Sequence, residues 1–145
     1  MPPQVLLVGD DLAVRDSLAR ALESEEFAVC VTACGIPALH RYAANAFDLV
    51  VLDVGVDGRE CEATLARLRS VRPDGAFAAL TVDASDRGGF FGVSVVLEKP
   101  VCLPVLVRTL HALVAEPASV RRQRLATRGR KWVSASDGLP DSPSL

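Results

Sequence analysis

The sequence predicts an α/β domain whose parallel sheet is covered by helices on both faces. Three observations lead there. Short apolar runs rich in β-branched residues alternate with amphipathic stretches across the first 115 residues. One run, residues 48–52, is apolar throughout after its first residue. Acidic, hydroxyl and ammonium residues recur just where the runs end. Alternating strands and helices imply right-handed βαβ units, and a strand apolar at successive positions is buried on both faces.

Residues 5–8 form the first strand, which ends in acids. From Leu12 to about Ser24, Val14, Leu18 and Leu22 recur every fourth residue, a helical stripe. Residues 27–32 read as a second strand around β-branched Val29 and Val31. A second helix, from Ile36 to about Ala46, sets Ile36, Leu39 and Ala43 on one side. The third strand is the apolar run 48–52, and residues 60–70 then place Cys61, Leu65 and Leu68 at helical spacing. Pro73, Asp74 and Gly75 make a turn. Residues 77–82 and 93–97 are the fourth and fifth strands. Pro104 suits the first turn of a last helix striped by Leu106, Leu110 and Leu113. Between the last two strands, residues 83–92 contain Gly88, Gly89 and Gly92. Glycine costs up to ~1 kcal/mol at an interior helical position, so the fourth helix is expected to be degenerate, a turn or loop carrying Phe90 and Phe91.

A chain of 145 residues, half of them hydrophobic, suits one domain of residues 1–116 and an extension of residues 117–145. Aromatics are only 5%, so the core must come from Val, Leu and Ala. The apolar runs fall far short of the ~20 residues of a membrane span. The start lacks the basic region of a signal peptide, and a cytoplasmic protein is expected. Residues 1–116 carry ten basic and sixteen acidic residues, whereas residues 117–131 carry six basic and none acidic. That basic run reads as a solvated helix extension or linker. Nucleic-acid binding is not expected from charge without a recognition-helix pattern. Residues 134–145, rich in Ser, Pro, Gly and Asp, are expected to be disordered. The four cysteines match no CxxC pattern, so neither disulfide nor metal binding is expected, and Cys30 and Cys61 read as small buried hydrophobes.

Ligands of open parallel sheets bind beyond the carboxyl ends of the strands. There the sequence offers Asp10 and Asp11 after strand one, Asp53 after strand three, Thr81 after strand four, and Lys99-Pro100 after strand five. Carboxylates with room for retained waters suit Mg²⁺. An aspartate beside such an ion can attack a phosphoryl group, with metal and lysine neutralising the transferring oxygens.

The strings VLLVGDD and DLVVLD, with Leu80-Thr81 and Lys99-Pro100, resemble the four signatures of receiver domains of bacterial two-component response regulators. Order and spacing agree across about residues 4–115. The resemblance implies a flavodoxin-like (βα)5 three-layer sandwich with strand order 2-1-3-4-5. It implies that Asp53 accepts a phosphoryl group from a histidine kinase or phosphotransfer protein. Mg²⁺ would be held by Asp10, Asp53 and the backbone carbonyl of Gly55, with Asp11 as a further candidate. Thr81 would hydrogen-bond the acyl phosphate, Lys99 would pair with it, and the Lys99-Pro100 bond would be cis. Relay to a downstream protein, or to a second copy in a homodimer, would use the face of the fourth helix, fifth strand and last helix. Catalysis would be confined to Mg²⁺-dependent self-phosphorylation and self-dephosphorylation.

Three departures from the family pattern support a second reading. Gly9 occupies the position of the first of two acids, the loop VGVDG after Asp53 is short and lacks Pro-Gly, and Val96 replaces an aromatic residue. These changes suit a pseudo-receiver, a phosphorylation-independent protein-interaction module. An aspartate-nucleophile phosphatase is disfavoured, because Gly55 stands where its second aspartate would be. His40 and His111, among polar neighbours, read as surface residues rather than phosphocarriers.

Overall fold

The alternating runs become strands of one parallel sheet in a computed structural model that describes residues 1–55, 58–82, 93–126 and 131–133. In chain order the elements are β1 (Gln4–Val8), α1 (Leu12–Ser24), β2 (Ala28–Thr32), α2 (Ile36–Ala44), β3 (Leu49–Asp53), α3 (Arg59–Val71), β4 (Phe77–Thr81), β5 (Val95–Glu98), α4 (Leu103–Ala115), α5 (Ala118–Ala126) and β6 (Lys131–Val133). The sheet order is β2-β1-β3-β4-β5-β6. Its first five strands therefore have the expected order, and the register pairs Val8 with Leu52, Asp53 with Leu80 and Thr81 with Glu98. Residues 83–92, where a degenerate fourth helix and Phe90 and Phe91 are expected, lie outside the described residues.

Strand alternation sorts the core into two halves. Val5, Leu7 and Val51 pack with Leu18 and Leu22 of α1 and with Leu106 and Leu110 of α4. Leu6, Val8 and Leu52 pack with Tyr42 of α2 and with Leu65 and Leu68 of α3. Every residue of β3 is buried, as its continuous apolar run requires at the centre of a three-layer sandwich. Edge strand β2 is only half-buried over most of its length, and Cys30 is half-buried with it rather than buried.

Two helices turn differently from their expected stripes. In α1 the buried residues are Leu18, Ala19 and Leu22, while Val14 remains 43% exposed. In α2 the buried face is Ala38 and Tyr42, whereas Ile36 is 57% exposed and Ala43 also faces outward. The physical reason is the tyrosine, whose ring buries more apolar area than the aliphatic alternatives. It stacks at 6.4 Å on Phe47 and packs at 5.9 Å and a tilt of 53° on Phe77. The Arg72 guanidinium lies 4.6 Å from the ring centre. The same guanidinium donates to the carbonyls of Tyr42 (2.8 Å) and Asn45 (3.1 Å), placing a cation at the C-terminal end of α2.

The extension after Ala115 is partly folded onto the domain. Three of its arginines, Arg121, Arg122 and Arg124, belong to α5, and Arg122 Nη1 meets Asp74 Oδ2 at 2.8 Å on the surface, while Arg128 and Arg130 lie outside the described residues. Its residues 131–133 add β6 in parallel to Val95–Leu97 of β5. A strand this short leaves no periodicity to read, so the sequence shows a basic run where the structure places a helix and a sixth strand. Residues 134–145 lie outside the described residues. No helix among the described residues is long and apolar enough to cross a membrane.

Gly75 closes the turn under Tyr42. A Cβ there would lie 2.5 Å from the tyrosine hydroxyl oxygen and 3.1 Å from the Phe77 ring. Gly75→Ala is therefore expected to push the aromatic cluster apart and destabilise the domain by about 1–3 kcal/mol. A lower urea midpoint at unchanged slope would report this, and an unchanged midpoint would show that the turn accommodates the methyl group.

Candidate functional site

The carboxyl ends of β3, β4 and β5 are aligned by hydrogen bonds that continue the ladder past the strands. Val54 N–H donates to the Leu80 carbonyl at 2.9 Å, and Lys99 N–H donates to the Thr81 carbonyl at 2.7 Å. Asp53, the last residue of β3, is 5% exposed. An ionised carboxylate at that depth requires a charge partner, and the Lys99 ammonium supplies it by pairing with Asp53 Oδ1. The same Nζ donates to the Val54 carbonyl at 3.2 Å, fixing the ammonium over the end of the strand. Thr81, 4% exposed, ends β4 beside them, and the Lys99-Pro100 bond is cis. The expected trio of Asp53, Thr81 and Lys99 thus meets at one rim.

The three residues after β1 take separate tasks. Gly9 donates its N–H to the Thr32 carbonyl and accepts from Arg15 Nη1 through its own carbonyl at 3.1 Å. A Cβ on Gly9 would lie 3.2 Å from Asp53 Cβ and 3.5 Å from Asp53 Oδ2. Glycine therefore lets the two strand ends approach more closely than a side chain would allow. Asp10 is exposed, and its Oδ1 accepts the Cys34 N–H at 3.0 Å. Asp11 is the N-cap of α1, its carboxylate accepting the Val14 N–H at 3.2 Å.

No group of three or more His, Cys, Asp or Glu side chains converges among the described residues. The available donors for a cation are the carboxylates of Asp10 and Asp53, with the backbone of exposed Gly55 following β3. Such a set fits Mg²⁺, which takes one or two carboxylates and keeps several waters.

Two features were not legible from spacing. A cavity of about 620 Å³ opens beside Asp53 and Lys99, walled by Val14 and Ser17 of α1, Val82 and Val101. Exposed Val14 and Val82 belong to it, which gives Val14 a place other than the core. The second is a thiol pair: Cys34 Sγ and Cys61 Sγ are 3.4 Å apart, and Cys61 Sγ is 3.9 Å from the Asp53 carbonyl oxygen. Their hydrogen bond pushes the Cys34 thiol above the ordinary range, with burial adding to the effect. The same bond, assisted by the Gly55 backbone amide, holds Cys61 below it. Twenty-seven residues separate these cysteines. Cys34 lies just past the carboxyl end of β2, whereas Cys61 lies in the first turn of α3, and nothing in their spacing joins them. Val96, in the place of the family's aromatic residue, is wholly buried against the α2 and α3 side of the core.

Comparison with known proteins agrees with this geometry. A family profile described as response regulator receiver domain matches residues 5–111. The response regulator MprA of Mycobacterium sp. (strain KMS) is 34% identical, with the match covering all of this chain and 57% of the relative. MprA of Mycolicibacterium vanbaalenii is 35% identical over 79% of this chain and 51% of its own length. The chain thus spans a little over half the length of the curated relatives it matches. Among solved structures, the chemotaxis response regulator CheY4 of Vibrio cholerae superposes with a TM-score of 0.69 at 22% identity, covering 78% of this chain and 99% of that one. The response regulator TrrA of Thermotoga maritima, solved in complex with Mg²⁺-BeF, gives 0.70 at 22% identity, covering 78% and 99%. A receiver domain of Methanospirillum hungatei JF-1 gives 0.71 at 23% identity, covering 86% and 99%. On the profile match over most of the chain, the sheet order and the Asp53, Thr81 and Lys99 rim, this chain belongs to the response regulator receiver domain family of two-component systems.

Proposed function

We propose that this receiver domain accepts a phosphoryl group on Asp53 from a sensor histidine kinase or phosphotransfer protein and relays its presence to a downstream protein. The observation that carries the reading is the buried Asp53 carboxylate held by Lys99 at the end of the central strand. Asp53 Oδ2, the oxygen not paired with Lys99, would attack phosphorus in line with the departing imidazole of the donor. Asp10 and Asp53, with the Gly55 carbonyl, would hold Mg²⁺, by analogy with the Mg²⁺-BeF complex of TrrA. When bound, that ion neutralises charge on the transferring oxygens. Lys99 shares this task, since its ammonium is already within reach of Asp53. Converting the carboxylate to an acyl phosphate moves negative charge outward from Asp53. Lys99 then pairs with phosphate oxygen, and the Thr81 hydroxyl donates to it.

The donor protein has a surface to meet. Val14 and Val82 are exposed apolar residues lining the cavity over Asp53 and Lys99. A homodimer on the β5 and α4 face would include β6, which pairs with β5 there. We assign the reaction to the cytoplasm, and we assign no role in nucleic-acid binding to the described residues. Catalysis by the chain itself is limited to gaining and losing the phosphoryl group on Asp53.

Incubation with acetyl phosphate and Mg²⁺, followed by intact mass, tests the reading. The wild-type chain is expected to gain one phosphoryl group and Asp53→Asn none. Lys99→Ala is expected to slow the gain roughly tenfold or more, because the transferring oxygens lose a preorganised cation. No gain in the wild type overturns the proposal in favour of a phosphorylation-independent interaction module, and a gain that persists in Asp53→Asn overturns Asp53 as the acceptor.

Gly9 offers a finer test. Gly9→Ala forces Asp53 to move by a few tenths of an ångström, given the 3.2 Å approach of the added Cβ. Phosphorylation is expected to slow roughly three- to tenfold while the protein stays folded by circular dichroism. An unchanged rate would show that the close approach does not set the position of Asp53.

A further inference from the structure

We propose that Cys34 and Cys61 form a redox-modification site, closed by hydrogen peroxide into a reversible disulfide that ties the β2–α2 loop to the first turn of α3. Their sulfurs are already in van der Waals contact at 3.4 Å. A disulfide needs about 2.0 Å, so the sulfurs must approach by a little over an ångström. Cys34 lies in a loop, followed by Gly35 at φ +84°, a left-handed conformation that glycine adopts without strain. Cys61 lies in the first turn of α3, where a small side-chain rotation redirects its sulfur. The other two cysteines, half-buried Cys30 and buried Cys102, are also free thiols and serve as internal controls.

The chemistry balances with peroxide as the oxidant. One sulfur attacks the O–O bond, takes a hydroxyl as a sulfenic acid and releases water. The second sulfur displaces that hydroxyl, forms the S–S bond and releases a second water. Two S–H bonds are lost, one S–S bond forms, and two electrons pass from sulfur to the peroxide oxygens. Both thiols are nearly buried, at 5% and 4% exposure, which favours an oxidant little larger than water. Exposed Gly55, whose missing side chain would meet no atom within 4 Å, leaves open space beside Cys61.

Closure would be felt at the rim. The Cys34 N–H holds the Asp10 carboxylate at 3.0 Å, and the neighbouring Gly35 N–H holds Thr64 Oγ1 of α3 at 2.8 Å. Cys61 Sγ faces the Asp53 carbonyl. Drawing the sulfurs together moves the donor that orients Asp10, and with it the cation affinity of the rim. The disulfide stands on the thiol geometry alone, whereas this second effect rests on the proposed Mg²⁺ site.

The whole chain, reduced and then treated with hydrogen peroxide, is expected to lose two hydrogens by intact mass. Peptide mapping should link Cys34 to Cys61 while Cys30 and Cys102 remain alkylatable, and dithiothreitol should restore the original mass. Cys34→Ser and Cys61→Ser should each abolish the change, and the doubly substituted Cys30→Ser, Cys102→Ser chain should keep it. No mass loss, a linkage through Cys30 or Cys102, or direct passage to sulfinic acid overturns the site. A Mg²⁺ titration followed by the Cys34 amide resonance reads the coupling without any phosphorylation step. The dissociation constants of the two redox forms should differ by roughly threefold or more, as for other groups that orient a metal ligand. Equal constants overturn the coupling, and absence of Mg²⁺ binding in both forms overturns it together with the proposed cation site. Failure of Asp53 to become phosphorylated would leave both readouts standing.

Discussion

Burial of the Asp53 carboxylate at the end of the central strand, and its pairing with Lys99, is the constraint around which the rim is built. Removing a carboxylate from water costs several kcal/mol unless an opposite charge and hydrogen bonds compensate. That demand fixes much else. Lys99 must leave β5 at the right height, which its N–H bond to the Thr81 carbonyl and its Nζ bond to the Val54 carbonyl accomplish. β1 must come close, which Gly9 permits. The helices contribute to this geometry indirectly, by burying both faces of the sheet so that the strand ends hold their heights.

The same constraint explains how three adjacent residues after β1 divide their roles. Gly9 allows close approach to Asp53, Asp10 turns toward the Cys34 amide, and Asp11 caps α1. A local rule cannot separate the two acids, because each is a good helix cap and each is a good cation ligand. Backbone direction at the end of β1 separates them. It also brings a thiol pair to the rim that sequence distance conceals. Cys34 and Cys61 come from different βα units and meet because α2 and α3 pack on the same face of the sheet.

The family profile and the curated relatives agree with this frame, and two of the three departures now have physical addresses, while residues 56–57 of the loop after Asp53 lie outside the described residues. Val96 is core packing on the α2 and α3 side. Gly9 is a contact surface for Asp53. These positions differ from the family pattern, and the Asp53–Lys99 pair is kept beside them.

Much of the fold was legible in the sequence because hydrophobic period and strand-end chemistry are local properties. The alternating runs gave five strands in their order, the apolar third run marked the buried centre, and the acids, Thr81 and Lys99-Pro100 marked the functional end. Helix rotation was less legible. In the α2 stripe, Leu39 packs against the core, but Ile36 and Ala43 lost to Tyr42, whose aromatic partners Phe47 and Phe77 lie outside α2. The extension after Ala115 hid α5 and β6, since a three-residue strand carries no period and pairs only where β5 leaves an edge. By itself, then, the sequence determined the layer architecture and the residue types at the rim, which follow from burial pattern and strand ends. Only the tertiary structure decided that Asp11 caps α1 while Asp10 meets the Cys34 amide, and that two distant cysteines touch. Those outcomes depend on distances between separate βα units, which packing sets and local sequence does not encode.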